Sequence, residues 1–232
     1  AVPEKLTALV LPGVRVQLPF GNRETEGIVV TRVASPEKAG TLKPITKVLS
    51  EHCVATPASL TLIDKAAEFY CCNPWDIVRS AIPPRVASVD KELSVSRVIS
   101  QSKIGNKVSA FQSFRPFIAS DQQITEIVEG FIKSGSVLIV APDEKDVDRL
   151  MSSLSHKYPD VLRLSSSSTR EERYHNFLLA MRLQSSIVVG TRSAVFTPVL
   201  NLSTIIIFKE SSFDHYEVRS PGWNSRAVAQ LR

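Results

Sequence analysis

Cysteine is scarce in this chain of 232 residues, and Cys53, Cys71 and Cys72 are all it has. Three thiols make neither an even disulfide set nor the spaced pairs of a zinc site, so no metal is expected here. Reduced thiols in a cytoplasmic protein are the simple expectation, with the adjacent Cys71-Cys72 pair filling a helix end. Long apolar runs are lacking as well. The longest, at residues 137–141 and 204–208, are far too short to span a bilayer, so no membrane partner is expected. No signal peptide is visible, and the chain begins at Ala1 without Met, as a trimmed chain or a fragment would. There is no internal repeat and no strong charge of one sign, the net charge being +5.

What is present is ordinary for a globular protein. Hydrophobic residues make up 43% and charged residues 22%, which predicts a packed core. The length fits one large domain or two small ones. The modest positive charge is unevenly placed: residues 85–115 hold Arg85, Lys91, Arg97, Lys103, Lys107 and Arg115 against only Asp90 and Glu92. A basic connector of this kind follows a phosphate backbone or simply stays solvated.

Residues 13–20 alternate, with Val14, Val16, Leu18 and Phe20 on one face and Arg15 and Gln17 on the other, which predicts a half-buried strand. Further strands are expected at residues 28–33 and 42–49, giving a small antiparallel barrel or curled sheet. Two helices follow, opened by Thr56-Pro57 and Asn73-Pro74 and stopped at Pro83-Pro84. The predicted organisation is a β-rich domain at 1–84, a basic linker at 85–105 and a second domain at 106–232. In the last, short apolar runs at 137–140, 161–164, 187–189 and 205–208 alternate with amphipathic stripes. Val147, Leu150, Met151 and Leu154 form one stripe, and Tyr174, Phe177, Leu178 and Met181 the next, with Ser168 and Glu171 as its capping box. That alternation predicts a parallel α/β sheet.

Val189-Gly190-Thr191-Arg192-Ser193-Ala194 reads as a buried strand ending in a small-residue turn that opens a helix. Free N–H groups at such a start suit a phosphate, with Thr191 adding a hydroxyl and Arg192 a guanidinium. An ordinary strand-to-helix turn, with Arg192 paired to Asp214 or Glu217, is the plain alternative.

Several stretches together carry a family resemblance. Leu18-Pro19-Phe20-Gly21, Gly27-Ile28-Val29-Val30, Leu42-Lys43-Pro44-Ile45 and Val48-Leu49 resemble the amino-terminal DNA-binding domain of the bacterial primosomal protein N′ (PriA) family. The run Ala66-Ala67-Glu68-Phe69-Tyr70, Trp75-Asp76-Ile77-Val78 and Ala81-Ile82-Pro83 resembles the close of that domain. Gly190-Thr191-Arg192-Ser193-Ala194 and Arg226-Ala227-Val228-Ala229 resemble the first lobe of its helicase core. The resemblance implies an α/β protein overall: a small β-rich DNA-binding domain with two helices, then a RecA-like lobe. It also implies that Gly21 and Lys43 lie in a pocket for the 3′ end of a nascent strand. Thr7 and Ala8 stand where the family has an aromatic residue and an acid, so a stacking ring and a hydroxyl acceptor are missing.

The helicase half departs further from the family. A nucleotide motor needs Gly-x-x-x-x-Gly-Lys-Ser/Thr, and residues 113–121 contain neither glycine nor lysine. The acids that hold magnesium are replaced after Ile205-Ile206-Ile207 by Phe208-Lys209. The lobe is therefore expected to be degenerate, with no catalytic residue and no cofactor. There is no room for a winged-helix insert between Pro84 and Asn106, and the family's zinc-binding cysteines and second lobe would lie beyond Arg232.

The expected function is that of a DNA-binding replication-restart protein that recognises stalled forks and helps reload the replicative helicase without unwinding DNA itself. Its partners would be forked or single-stranded DNA, other primosome proteins and the helicase-loading machinery. Gly21, Lys43, Thr191 and Arg192 are the expected DNA contacts, with Arg15, Arg23 and the linker cations as weaker ones. An active 3′–5′ helicase and a protein-interaction scaffold without DNA binding are the alternatives.

Overall fold

The computed structural model describes residues 1–35, 40, 42–93, 108–182 and 186–232. Packing divides the chain into two compact units, Ala1–Thr61 with Val86–Ile99, and Leu62–Arg85 with Ser100–Arg232.

The first unit is built on a three-stranded antiparallel sheet of β1 (Val14–Phe20), β2 (Arg23–Ile28) and β3 (Lys47–Cys53), in the order β2-β1-β3. Val16 is buried with Val10 and Val29, and Val2, Leu6, Leu18, Ile45 and Val48 pack around them. The second strand starts earlier than the apolar run predicts. The Gly21-Asn22 turn is only two residues long and pairs Phe20 directly with Arg23. Gly21 has φ +61°, the positive value that a two-residue hairpin needs at its first turn position. The third strand starts later, at Lys47, beyond Pro44, which has no N–H to give a ladder.

Arg15 departs from its predicted place on an open face. It is only 5% exposed and forms an ion pair with Glu26. As the central strand, β1 has its flanks covered by β2 and β3, and Glu26 stands opposite Gln17, diagonally across from Arg15.

The expected helices form at α1 (Pro57–Phe69) and α2 (Pro74–Ala81). Thr56 and Ser59 exchange side-chain hydrogen bonds at the first start. At the second, Asn73 Oδ1 accepts the Trp75 N–H at 2.9 Å. Beyond Thr61 this helix pair groups with the second unit. Asn224 N–H donates to Tyr70 Oη at 3.0 Å, and the Trp223 indole N–H donates to Ser80 Oγ at 3.4 Å. The division in packing thus falls inside α1, rather than at Pro83-Pro84. The start of the expected linker is ordered as α3 (Ala87–Glu92), with Val89 buried and the Asp90 carbonyl 3.1 Å from His52 Nε2. Residues 94–107, including Arg97, Lys103 and Lys107, lie outside the described residues.

The second unit holds a four-stranded parallel sheet. Its strands are β4 (Ser136–Val140), β5 (Leu162–Leu164), β6 (Ile187–Gly190) and β7 (Leu202–Ile207), in the order β5-β6-β4-β7. Every residue of β4 is buried, as a central strand covered on both faces requires. Three helices belong to this unit as well: α4 (Ser120–Phe131), α5 (Glu144–Ser155) and α6 (Arg170–Ala180). Val147, Leu150 and Leu154 of α5 share one core with Ile124 and Val128 of α4 and with the sheet. Burying side chains of this size stabilises by about 1.5–3 kcal/mol each. The capping box of α6 is Thr169 with Glu172, one residue later than the sequence suggests. A final helix, α7 (Ser225–Leu231), is capped by Asn224.

Candidate nucleic-acid interface

The tip of the β1–β2 hairpin brings together two residues far apart in sequence. Lys43 Nζ donates to the Gly21 carbonyl at 3.1 Å, and both residues are exposed. The segment carrying Lys43 is held beside β1 by backbone bonds from Ile45 N–H to Ala1 O at 2.9 Å and from Thr46 N–H to Gln17 O at 2.8 Å. Thr46 Oγ1 also donates to the Glu24 carboxylate, at 3.0 and 3.1 Å. A Cβ built at Gly21 would meet nothing within 4 Å, so the turn backbone is open to an approaching ligand. An ammonium carries three N–H groups, so the bond to Gly21 leaves Lys43 two for a phosphate oxygen.

Arg23, the register partner of Phe20, is exposed and has no acidic partner among the described residues. Thr7 faces local backbone: its hydroxyl is 3.4 Å from Pro3 O, and its carbonyl accepts from Arg32 at 2.8 Å. Arg15 is separated from this group by its burial against Glu26.

The turn after β6 differs from the predicted phosphate cradle. Thr191 is extended and makes no capping bond, and residues Arg192–Phe196 form a short 3₁₀ turn instead of an α-helix. Gly190 explains the tightness: a Cβ there would collide with Leu164 O and Ala194 Cβ. The Thr191 N–H donates to Leu164 O at 3.1 Å, so it is not available to a ligand.

Arg192 turns inward. Its Nη2 and Nε lie 3.1 and 3.3 Å from Glu217 Oε2, and Nη1 donates to the Asp214 carbonyl at 3.4 Å. Burial opposes ionisation of Glu217, but the Arg219 N–H and the Arg192 guanidinium outweigh it and hold this carboxyl below its ordinary range.

The region expected to have lost its nucleotide chemistry has contacts of its own. Lys209 Nζ lies 2.6 and 2.8 Å from the two carboxylate oxygens of Asp146, whose side chain is 5% exposed. The same ammonium is 5.3 Å from the centre of the Phe208 ring, and Phe208 packs edge-on against Phe114 at 5.5 Å. Buried Gln123 holds the loop before α4 by accepting the Arg115 N–H at 2.7 Å and donating to Arg115 O and Ile118 O at 3.1 and 2.9 Å. The Lys209–Asp146 pair is not legible in the sequence, because its members lie on separate elements and match no spacing motif. Among the described residues no helix is long and apolar enough to cross a membrane.

Comparison with known proteins agrees with this geometry. Residues 1–83 match the 3′ DNA-binding domain (3′BD) of PriA. The whole chain is 28% identical to the probable replication restart protein PriA of Mycobacterium tuberculosis (strain CDC 1551 / Oshkosh), covering 39% of that protein. It is 22% identical to the replication restart protein PriA of Treponema pallidum over 96% of this chain and 38% of the relative. A shorter match to the Synechocystis PriA reaches 34% identity over 43% of this chain and 12% of that protein. The chain thus spans well under half the length of these relatives. Residues 1–83 are thus similar to the 3′ DNA-binding domain of PriA, and the chain as a whole is similar to the amino-terminal part of the replication restart protein PriA.

Proposed function

We propose that this chain recognises DNA at stalled or abandoned replication forks and helps restart proteins reload the replicative helicase, acting in the cytoplasm without hydrolysing ATP. The observation that carries the reading is the Lys43–Gly21 hydrogen bond at an open hairpin tip, inside the segment that matches the 3′ DNA-binding domain. A backbone turn without a side chain admits a sugar end, and the adjacent ammonium meets the neighbouring phosphate. Phosphate contacts of this kind give binding that weakens with salt. Other primosome proteins and the helicase-loading machinery are the proposed protein partners.

The absence of motor activity is supported by the second unit. ATP hydrolysis needs carboxylates that hold magnesium and a glycine-rich loop that cradles phosphates. Here Lys209 neutralises Asp146 with its own ammonium, and the glycine-free loop before α4 is fixed by Gln123. Titration of the chain against forked, duplex and single-stranded DNA at graded salt tests the reading. It predicts preference for DNA with a free 3′ end and a negative salt slope. Equal affinity for the same DNA ending in a free 3′ hydroxyl and in a 3′ phosphate would overturn 3′-end recognition. Absence of DNA binding at low salt would favour a protein-interaction scaffold, and phosphate release from ATP on adding DNA would overturn the inactive motor.

A further inference from the structure

We infer that Phe20 is a stacking platform for an unpaired base of single-stranded DNA, with Arg23 and Lys43 holding the flanking phosphates. The inference rests on the DNA-binding reading of the hairpin tip and names the group that would meet the base. Phe20 continues the face of Val14 and Val16, which are 2% and 4% exposed, yet is itself 76% exposed at the end of β1. So exposed a ring adds little to the core of this unit. It borders Gly21, whose positive-φ turn is open, and stands directly opposite Arg23 in the hairpin register. Opposite residues of an antiparallel pair project from one face, so ring and guanidinium share a side of the hairpin. Lys43 Nζ, on the segment that runs along the edge of β1 away from β2, is fixed to the carbonyl of Gly21, the residue after Phe20.

A flat apolar surface with two cations close by fits single-stranded nucleic acid, whose bases have π-faces and whose backbone is an anion. Duplex ends offer less, because their bases already stack on one another. The pairing of ring and cations also favours nucleic acid over an apolar protein segment, which would leave Arg23 and Lys43 desolvated without partners.

The test is fluorescence anisotropy of the full chain with a short 3′-ended oligonucleotide and with an abasic oligonucleotide of equal length and phosphate count. Phe20→Ala is expected to weaken binding of the base-bearing strand about tenfold and to leave the abasic strand unchanged. Phe20→Trp is expected to keep wild-type affinity, and Phe20→Leu to behave like Phe20→Ala, since size alone does not stack. Equal losses on both strands, or wild-type binding by Phe20→Leu, would overturn the platform. Lys43→Ala serves as the control for the underlying reading. If it weakens both strands while the Phe20 variants are silent, only the platform falls. If the wild-type chain binds neither strand, both fall together.

Discussion

Lys43 Nζ and the carbonyl oxygen of Gly21 are 3.1 Å apart, joining a lysine on the segment before β3 to the turn between β1 and β2. The bond does two things at once. It holds a long, flexible side chain in one place, and it sets an ammonium beside a backbone turn whose outer side is empty. Ordering the lysine in the free protein lowers the entropy cost of using it on a ligand.

From this follows the prediction for Lys43→Ala. Removing one phosphate contact should weaken DNA binding to a similar degree for all base sequences and make the salt slope shallower by about one counterion. Thermal stability should hardly change, since Lys43 is exposed and changes at such surfaces usually stay within about 0.5 kcal/mol. Anisotropy titrations at four salt concentrations measure the slope. Wild-type slope and affinity in the variant would make Lys43 an ordinary surface lysine.

Gly190→Ala should destabilise the second unit by about 1–3 kcal/mol, because the new Cβ would collide with the Leu164 carbonyl and lie 2.6 Å from Ala194 Cβ. The backbone at β5 and the 3₁₀ turn would both have to shift. Urea denaturation followed by circular dichroism reads the loss, and a midpoint equal to wild type would show that this turn opens freely.

Lys209→Ala should lower stability by about 1–3 kcal/mol, since it takes the close cation from the nearly buried Asp146 carboxylate and leaves only Arg149, at 4.0 Å, to face it. The cost falls below that of a fully buried pair because Lys209 keeps 42% of its side chain in water. Restoring an acid at this position, as in Lys209→Glu, should cost more, through repulsion with Asp146, and should bring no ATP hydrolysis. Chemical denaturation and a phosphate-release assay with DNA check both statements.

Glu144 gives the protein a dependence on acid. Burial opposes its ionisation, but hydrogen bonds from the hydroxyls of Ser166, Ser165 and Ser167 and from the Ser167 N–H outweigh it, lowering the carboxyl from 4.5 to about 2. Arg163 adds an ion pair at 3.1 Å. The native state therefore binds this proton more weakly than the unfolded chain does. The stabilisation is complete at neutral pH, declines as pH falls below about 4.5, and is gone below about 2. Glu144→Gln should cost on the order of 1–2 kcal/mol at pH 7, limited by solvent at this partly exposed site, and almost nothing at pH 2. Parallel denaturation curves across that range would contradict the assignment.

How far the sequence disclosed these features depended on whether the physics was local. The stripes of α5 and α6, the all-apolar β4 run and the Asn73-Pro74 helix start are short-range patterns, and each formed where it was expected. The strands of the first unit were misplaced because a two-residue turn, set by Gly21, outweighed the apolar run at residues 28–33. Arg15 alternated as a surface residue should, and only the pairing with β2 brought Glu26 to it. The α1–α2 pair reads as part of the β-rich domain, and the match to residues 1–83 includes it. In packing it groups from Leu62 onward with the other unit, where Ser80 and Tyr70 meet Trp223 and Asn224, more than 140 residues away. Gly21 and Lys43 came from the family resemblance, and their hydrogen bond is a tertiary fact that no spacing rule contains.

Arg192 is where the two kinds of reasoning diverge. At a helix start, with Thr191 beside it, it looks like a phosphate ligand. Its guanidinium instead makes two contacts with Glu217 Oε2 and one with the Asp214 carbonyl, and the turn it opens is a five-residue 3₁₀ segment. A DNA phosphate would have to replace a carboxylate that is 16% exposed and already held in its charged form by this contact and by the Arg219 N–H. Breaking the contact leaves that carboxylate poorly solvated, which opposes exchange. Arg192→Ala should therefore lower stability by about 1–2 kcal/mol and leave DNA affinity unchanged. Glu217→Gln separates the roles further. It keeps a neutral acceptor for Arg192 and should cost less stability than Arg192→Ala, while freeing the guanidinium from its strongest partner. Differential scanning calorimetry with parallel DNA titrations reads both quantities. Weakened DNA binding by Arg192→Ala at an unchanged melting temperature would return Arg192 to the DNA interface.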